Sequence, residues 1–232
     1  MKNLLSIIKN TINQMLFKLG YRISKVNNTG ELVKIYKYKN YDEYKETQIS
    51  YNKKKIEHVW ADEKTLEKIS EFLLENVSTG IIKGICHGSR NGFEQNFFNK
   101  KKNKFQVIGT DISDTAENYK DSVTHDFHEE KKEWLNNFDF VYSNSLDQSF
   151  DPRKALQAWL NQLKKNGFLI IEHTDQHGVI ASGKMDPFGV EANFFPYLLS
   201  DWFGHLISVK IIKGLKINKN NTPVHLFILK KI

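Results

Sequence analysis

Apolar positions recur along this chain with two different periods. Between residues 62 and 76, Leu66, Ile69, Phe72, Leu73 and Leu74 return at three- and four-residue steps, which gives a helix one apolar stripe. Short and nearly continuous apolar runs at about 81–87, 105–111, 123–125, 138–143 and 168–172 read instead as strands buried on both faces. Helical stretches separate these runs, and such alternation predicts a parallel sheet with helices on both faces. Two late runs, 206–212 and 224–229, are joined by a polar loop without room for a crossover helix. They predict an antiparallel hairpin at the end of the sheet.

The N-terminal region follows a different pattern. Leu5, Ile8, Ile12, Met15, Leu16 and Leu19 predict an amphipathic helix within residues 1–22, ending at Gly20. Asn and Lys interrupt it too often for a bilayer span, and no small-residue cleavage site follows. Lys2, Lys9, Lys18 and Arg22 would each add about 1 kcal/mol near an anionic leaflet. That allows a loose peripheral contact with the inner face of the membrane; the alternative is packing on its own domain or on a twin chain in a homodimer. Residues 23–58 are rich in Lys, Tyr and Asn and show little periodicity beyond a short strand at 31–38. They read as a connector that covers the active site, so the expected division is an extension over 1–58 and a domain over 59–232.

Composition narrows the class. With 232 residues, 40% hydrophobic and 12% aromatic, the chain can bury a sizeable core and is not a disordered segment. Its one cysteine, Cys86, excludes an internal disulfide framework and suits a reducing, cytoplasmic setting. The net charge of +7 comes mostly from scattered lysines read as solvated surface. No RNA-binding signature accompanies them, so a nucleic-acid partner is not expected.

Candidate chemistry begins at the strand ends. The run from Ile81 ends in the turn Cys86-His87-Gly88-Ser89-Arg90-Asn91-Gly92 and continues as a helix through Glu94. A glycine turn between strand and helix lets backbone approach a nucleotide-like ligand. Asp111 stands 23 positions after Gly88, close to the spacing at which an acid meets ribose hydroxyls. At the next strand end Asp126 can accept from an exocyclic amine and Phe127 can give a ring an apolar face. Ribose and then adenine contacts imply an adenosyl ligand. Gly84, Gly88 and Gly92 are spaced G-x-x-x-G-x-x-x-G, which fails the dinucleotide fingerprint.

In this order of glycine loop, acid and acid, the chain resembles class I S-adenosylmethionine-dependent methyltransferases. The resemblance continues through 138–152, 155–160 and 163–172 and covers about two thirds of the chain. It implies a Rossmann-like sheet, S-adenosylmethionine as cofactor, and cofactor contacts from Gly84, Cys86, His87, Gly88, Glu94, Asp111, Ile112, Asp126, Phe127, Ser143 and Asn144. Gly84 and Cys86 stand where the family has an acid and a glycine, so Glu94 or a backbone carbonyl takes over the methionine ammonium. Gln148 stands where many relatives have a histidine.

Methyl transfer needs a base near strands four and five. His173 or His177 fits, with Asp175 to orient one of them. No metal is expected, because Asp147, Asp175 and these histidines lack a ligand spacing. Aromatics over 194–202 suit a lid helix or a sugar-like acceptor. The Lys18-Leu19-Gly20-Tyr21-Arg22-Ile23 stretch is similar to bacterial methyltransferases of surface-polysaccharide assembly. The reading is O-methylation of a small molecule or glycan precursor; a non-catalytic scaffold on the same fold and an RNA methyltransferase are the alternatives.

Overall fold

The computed structural model describes residues 30–78, 80–101, 103–216 and 223–232 together with 11–12, 15–16 and 19, with backbone alone at 213–216. Five strands, β2 (Ile82–His87), β3 (Phe105–Asp111), β4 (Ser122–Thr124), β5 (Phe138–Ser143) and β6 (Leu163–Thr174), lie parallel in the order β4-β3-β2-β5-β6. The hairpin of β8 (Ile207–Lys216) and β9 (Pro223–Lys231) extends the sheet, with β9 antiparallel to β6 and β8 at the edge. Both expectations, a parallel sheet and an antiparallel C-terminal hairpin, match this order. β6 starts before the apolar run at 168–172, because Leu163 already pairs with Phe138 ahead of a register shift.

The strands are apolar on both sides because both sides are covered. On one face α2 (Glu63–Asn76) and α3 (Phe93–Asn99) bring Leu66, Ile69, Leu73 and Phe98 against Ile82, Phe140 and Ile170. On the other, α4 (Pro152–Gln162) and α5 (Phe195–Phe203) bring Leu156, Trp159 and Leu199 against Ile85, Val141 and Phe227. Asp151 caps α4 by accepting from the Lys154 N–H at 3.0 Å, and Pro152 occupies the first turn, where its missing donor is harmless.

The expected connector is more ordered than its pattern suggests. β1 (Val33–Ile35) pairs antiparallel with β7 (Phe188–Val190), and α1 (Tyr41–Lys54) follows. Asn40 starts α1 by accepting from the Glu43 N–H at 2.9 Å, while Glu43 takes the Lys39 N–H at 2.8 Å. The buried side of α1 is Tyr44, Thr47, Gln48 and Asn52, a helical spacing made of polar groups. An apolar-periodicity reading cannot see such a face. Most of the helix expected over 1–22 lies outside the described residues; Thr11, Ile12, Met15 and Leu16 are helical, and Ile12, Met15 and Leu19 are exposed.

Candidate functional site

The strand order reverses between β2 and β5, so their carboxyl ends open a crevice there. The turn after β2 contains three left-handed residues: Gly88 at φ 72°, Arg90 at 42° and Gly92 at 77°. A Cβ on Gly88 would sit 2.5 Å from the Ser145 Cβ, so only glycine lets the turn close on the loop after β5. Arg90 bears strain that its surroundings must hold. Its N–H donates to Asp111 Oδ2 at 3.1 Å and its Nη1 to the His58 carbonyl at 3.1 Å.

One end of the crevice is lined by Gly88, Asp111, Ile112, Asp126 and Phe127. Asp111 ends β3 with Oδ1 accepting from the Ser113 N–H at 2.9 Å, and burial pushes its carboxyl above the usual range. Phe127 is set by its own carbonyl, which accepts from the Trp159 indole N–H at 2.9 Å. Tyr44, Gln48 and Asn52 of α1 line the opposite wall, leaving a narrow cavity of about 30 Å³. Asp126 has donors on both oxygens: Tyr41 at 2.6 Å on Oδ2, His128 Nδ1 at 2.6 Å and the His128 N–H at 3.0 Å on Oδ1. Burial alone would raise its pKa, but these donors hold it at about 2.

The other end is wider, about 380 Å³, and shares Gly88, Arg90, Gln148, Lys55 and Met185 with the first. Glu94 and Asn144 line it; Asn144 donates to Glu94 Oε1 at 3.3 Å, and Glu94 Oε2 has no hydrogen-bond partner. Burial pushes the Glu94 pKa to about 7. Asp147, His177 and Asp186 form the far wall, with His177 Nε2 3.7 Å from Asp147 Oδ2, beyond hydrogen-bond reach. Asp147 Oδ1 has no partner either. Burial, and then the charge of Asp147, push the Asp186 pKa to about 6. Among the described residues no cluster of three His, Cys, Asp or Glu side chains is arranged to hold a metal ion.

The remaining predicted residues lie off the crevice. Gly84 serves packing, since a Cβ there would fall inside the Phe140 ring contact, and Cys86 is buried in the α2 face of the core. His87 stacks on Trp159 with Nδ1 against Thr110 Oγ1 and Nε2 against Gln162 Oε1, each at 2.8 Å; burial lowers its pKa to about 3. Ser143 ties the loop by donating to the His87 carbonyl at 3.0 Å. His173 points into the core against Phe195 and Phe227, with Nε2 3.1 Å from the Val190 carbonyl and its pKa lowered by burial to about 3. Asp175 Oδ1 stands 3.4 Å from His225 Nε2. Sequence reasoning missed Arg90, the α1 face and Asp186. The one local signal for α1 was Asn40-x-x-Glu43, a helix start written in polar residues.

No family model matches the chain, and no curated protein matches it. Solved structures share its fold. The 1,6-didemethyltoxoflavin-N1-methyltransferase of Burkholderia thailandensis, with 1,6-didemethyltoxoflavin and S-adenosylhomocysteine bound, superposes with a TM-score of 0.61 at 12% identity, covering 89% of this chain and 98% of its own. The N-methyltransferase NodS of Bradyrhizobium japonicum, in complex with S-adenosylhomocysteine, gives 0.56 at 12% identity over 80% and 98%. The [4+2]-cyclase SpnF gives 0.53 at 12% identity over 71% and 80%. The fold is therefore the Rossmann-like sheet of methyltransferases. Because a cyclase is built on it too, activity has to be argued from the site.

Proposed function

We propose that this chain binds S-adenosylmethionine and methylates a hydroxyl of a small molecule or a glycan precursor. The observation that supports this most is Asp111, a buried carboxylate held by two backbone N–H donors on the same crevice as the Gly88 turn. Its free lone pairs suit vicinal ribose hydroxyls. Glu94, on the wall of the wide end, suits the methionine ammonium, and Arg90 or Lys55 suits the carboxylate. Asp126, the acceptor expected for the adenine amine, is already satisfied by Tyr41 and His128, so the support for this reading comes from Asp111, Glu94 and the cations of the crevice.

The bound sulfonium supplies an electrophilic methyl group, so the chain must hold a hydroxyl in line and take its proton. His177 is the candidate base, because it lines the wide end while His173 is turned into the core. Calorimetric titration with S-adenosylmethionine, S-adenosylhomocysteine and NAD tests the reading. Micromolar binding of the two adenosyl-sulfur ligands without NAD is expected; silence with all three would leave a scaffold on this fold. A cytoplasmic location with loose membrane contact through residues 1–22 belongs to the same reading. Vesicle flotation tests that contact, and no helix among the described residues is long and apolar enough to cross a membrane.

A further inference from the structure

Besides its polar groups, the wide end of the crevice is lined by three apolar side chains, Val59, Trp60 and Met185. The other tryptophans are engaged in packing. Trp159 is fully buried, stacks on His87 and donates its indole N–H to the Phe127 carbonyl at 2.9 Å. Trp134 is buried against His125 with Lys131 Nζ over its ring, and Trp202 is half-buried beside Phe203. Trp60 is 41% exposed, and among the described residues its indole N–H has no acceptor and its ring no aromatic or cationic neighbour. The chain on both sides of it is nevertheless fixed. Arg90 Nη1 donates to the His58 carbonyl at 3.1 Å and Asn91 Nδ2 to the Ile56 carbonyl at 2.9 Å, which ties the preceding segment to the glycine turn. Ala61, which follows, is buried in the α2 face of the core. Trp60 thus gives the cavity a preformed aromatic surface.

From this we infer that the acceptor is a hydroxylated aromatic molecule, whose flat ring packs on Trp60 and whose hydroxyl is turned to His177 on the same cavity. The inference rests on the methyltransferase reading for the reaction and narrows its acceptor. A cavity of about 150 Å³ takes benzene, so about 380 Å³ has room for such a ring beside the methionine end of the cofactor. Contact between ring and indole adds to the apolar burial that Val59 and Met185 share. A sugar is the poorer occupant. Its hydroxyls surround the ring, and against Val59 and Met185 they would give up water without gaining a partner, because Met185 Sδ already faces Lys55 Nζ at 2.8 Å.

The test follows the indole N–H signals of the full chain by NMR near pH 7, alone and saturated with S-adenosylhomocysteine. Of the four tryptophan signals, the one lost in Trp60→Phe belongs to Trp60. Resorcinol should shift that signal and leave the signal of buried Trp159 in place. It should bind about five-fold or more tightly than 1,3-cyclohexanediol, its saturated counterpart, and than methyl glucoside. Trp60→Ala should abolish the preference and Trp60→Phe should keep about half of it or more. The other three indole signals should hold their positions in both variants, which shows that they are folded. Equal binding of resorcinol and the diol, a Trp60 signal that does not move, tighter binding of the glucoside, or a preference that survives Trp60→Ala would overturn the inference. If S-adenosylhomocysteine itself fails to bind, the methyltransferase reading falls, and the Trp60 signal of the protein alone still decides whether this site takes an aromatic ring.

Discussion

At the scale of single residues, the crevice depends on groups held in unusual states. Asp111→Ala removes a charged acceptor from the expected ribose position and should weaken S-adenosylhomocysteine binding by about 1.5 to 3 kcal/mol in calorimetry; unchanged affinity would remove Asp111 from the site. Gly88→Ala meets both a left-handed φ of 72° and the Ser145 side chain. It should lower stability by about 1 to 3 kcal/mol, read as a loss of Tm, and weaken the ligand as well. Glu94 gives a pH signature. Its carboxyl, raised by burial to about 7, is half protonated near neutrality and cannot pair with an ammonium in that form. Affinity for S-adenosylhomocysteine should therefore rise as pH increases from about 6 to about 8, and Glu94→Gln should flatten the profile. Asp111, Gly88 and Glu94 were legible in the sequence because each sits at a fixed offset from a strand or turn. Asp186 was not, since no spacing says that the loop before β7 joins the crevice.

At the scale of elements, α1 decides whether the narrow end can open. It is fastened by Tyr41 to Asp126, by Thr115 Oγ1 donating to Asn52 Oδ1 at 2.9 Å, and by Gln48 Nε2 donating to the Met185 carbonyl at 3.0 Å. With about 30 Å³ beneath it, this end would take the adenine of the proposed cofactor only after the polar face of α1 moves outward. Hydrogen exchange of residues 41–54 should therefore change on S-adenosylhomocysteine binding more than exchange of α2, and equal change in both helices would contradict the role. Asn40→Ala removes the cap and should cost about 1 kcal/mol, with faster exchange confined to the start of α1. α2 and the strands were readable because they bury apolar stripes. α1 buries hydroxyls and amides whose partners lie far along the chain, so its role emerges only on assembly.

For the whole molecule, buried ionisable groups set the response to pH. His87 and His173 are neutral in the fold and have pKa values near 3, while their ordinary value is 6.5; the unfolded chain binds more protons between those limits. Stability from this source rises with pH from about 3 to about 6.5. Glu94 and Glu172 act oppositely, because burial raises both to about 7 from 4.5 and the fold keeps their protons across that window. The two effects offset one another between about 4.5 and 6.5, and the histidines dominate below. Thermal unfolding should therefore show a steep loss of Tm on acidification below about pH 4.5, and His87→Gln should soften it. A Tm indifferent to acid would mean that these rings are not buried neutral.

Local pattern alone determined the two-faced parallel sheet, the C-terminal hairpin, the glycine turn and the acids at the ends of β3 and β4, because periodicity and offset are properties of neighbouring residues. Tertiary structure decided the rest. It turned His173 into the core and left His177 on the crevice, set Asp175 near His225, and laid α1 over the narrow end of the crevice. Those outcomes depend on which distant side chains meet once both faces of the sheet are covered, and a linear pattern carries no record of that meeting.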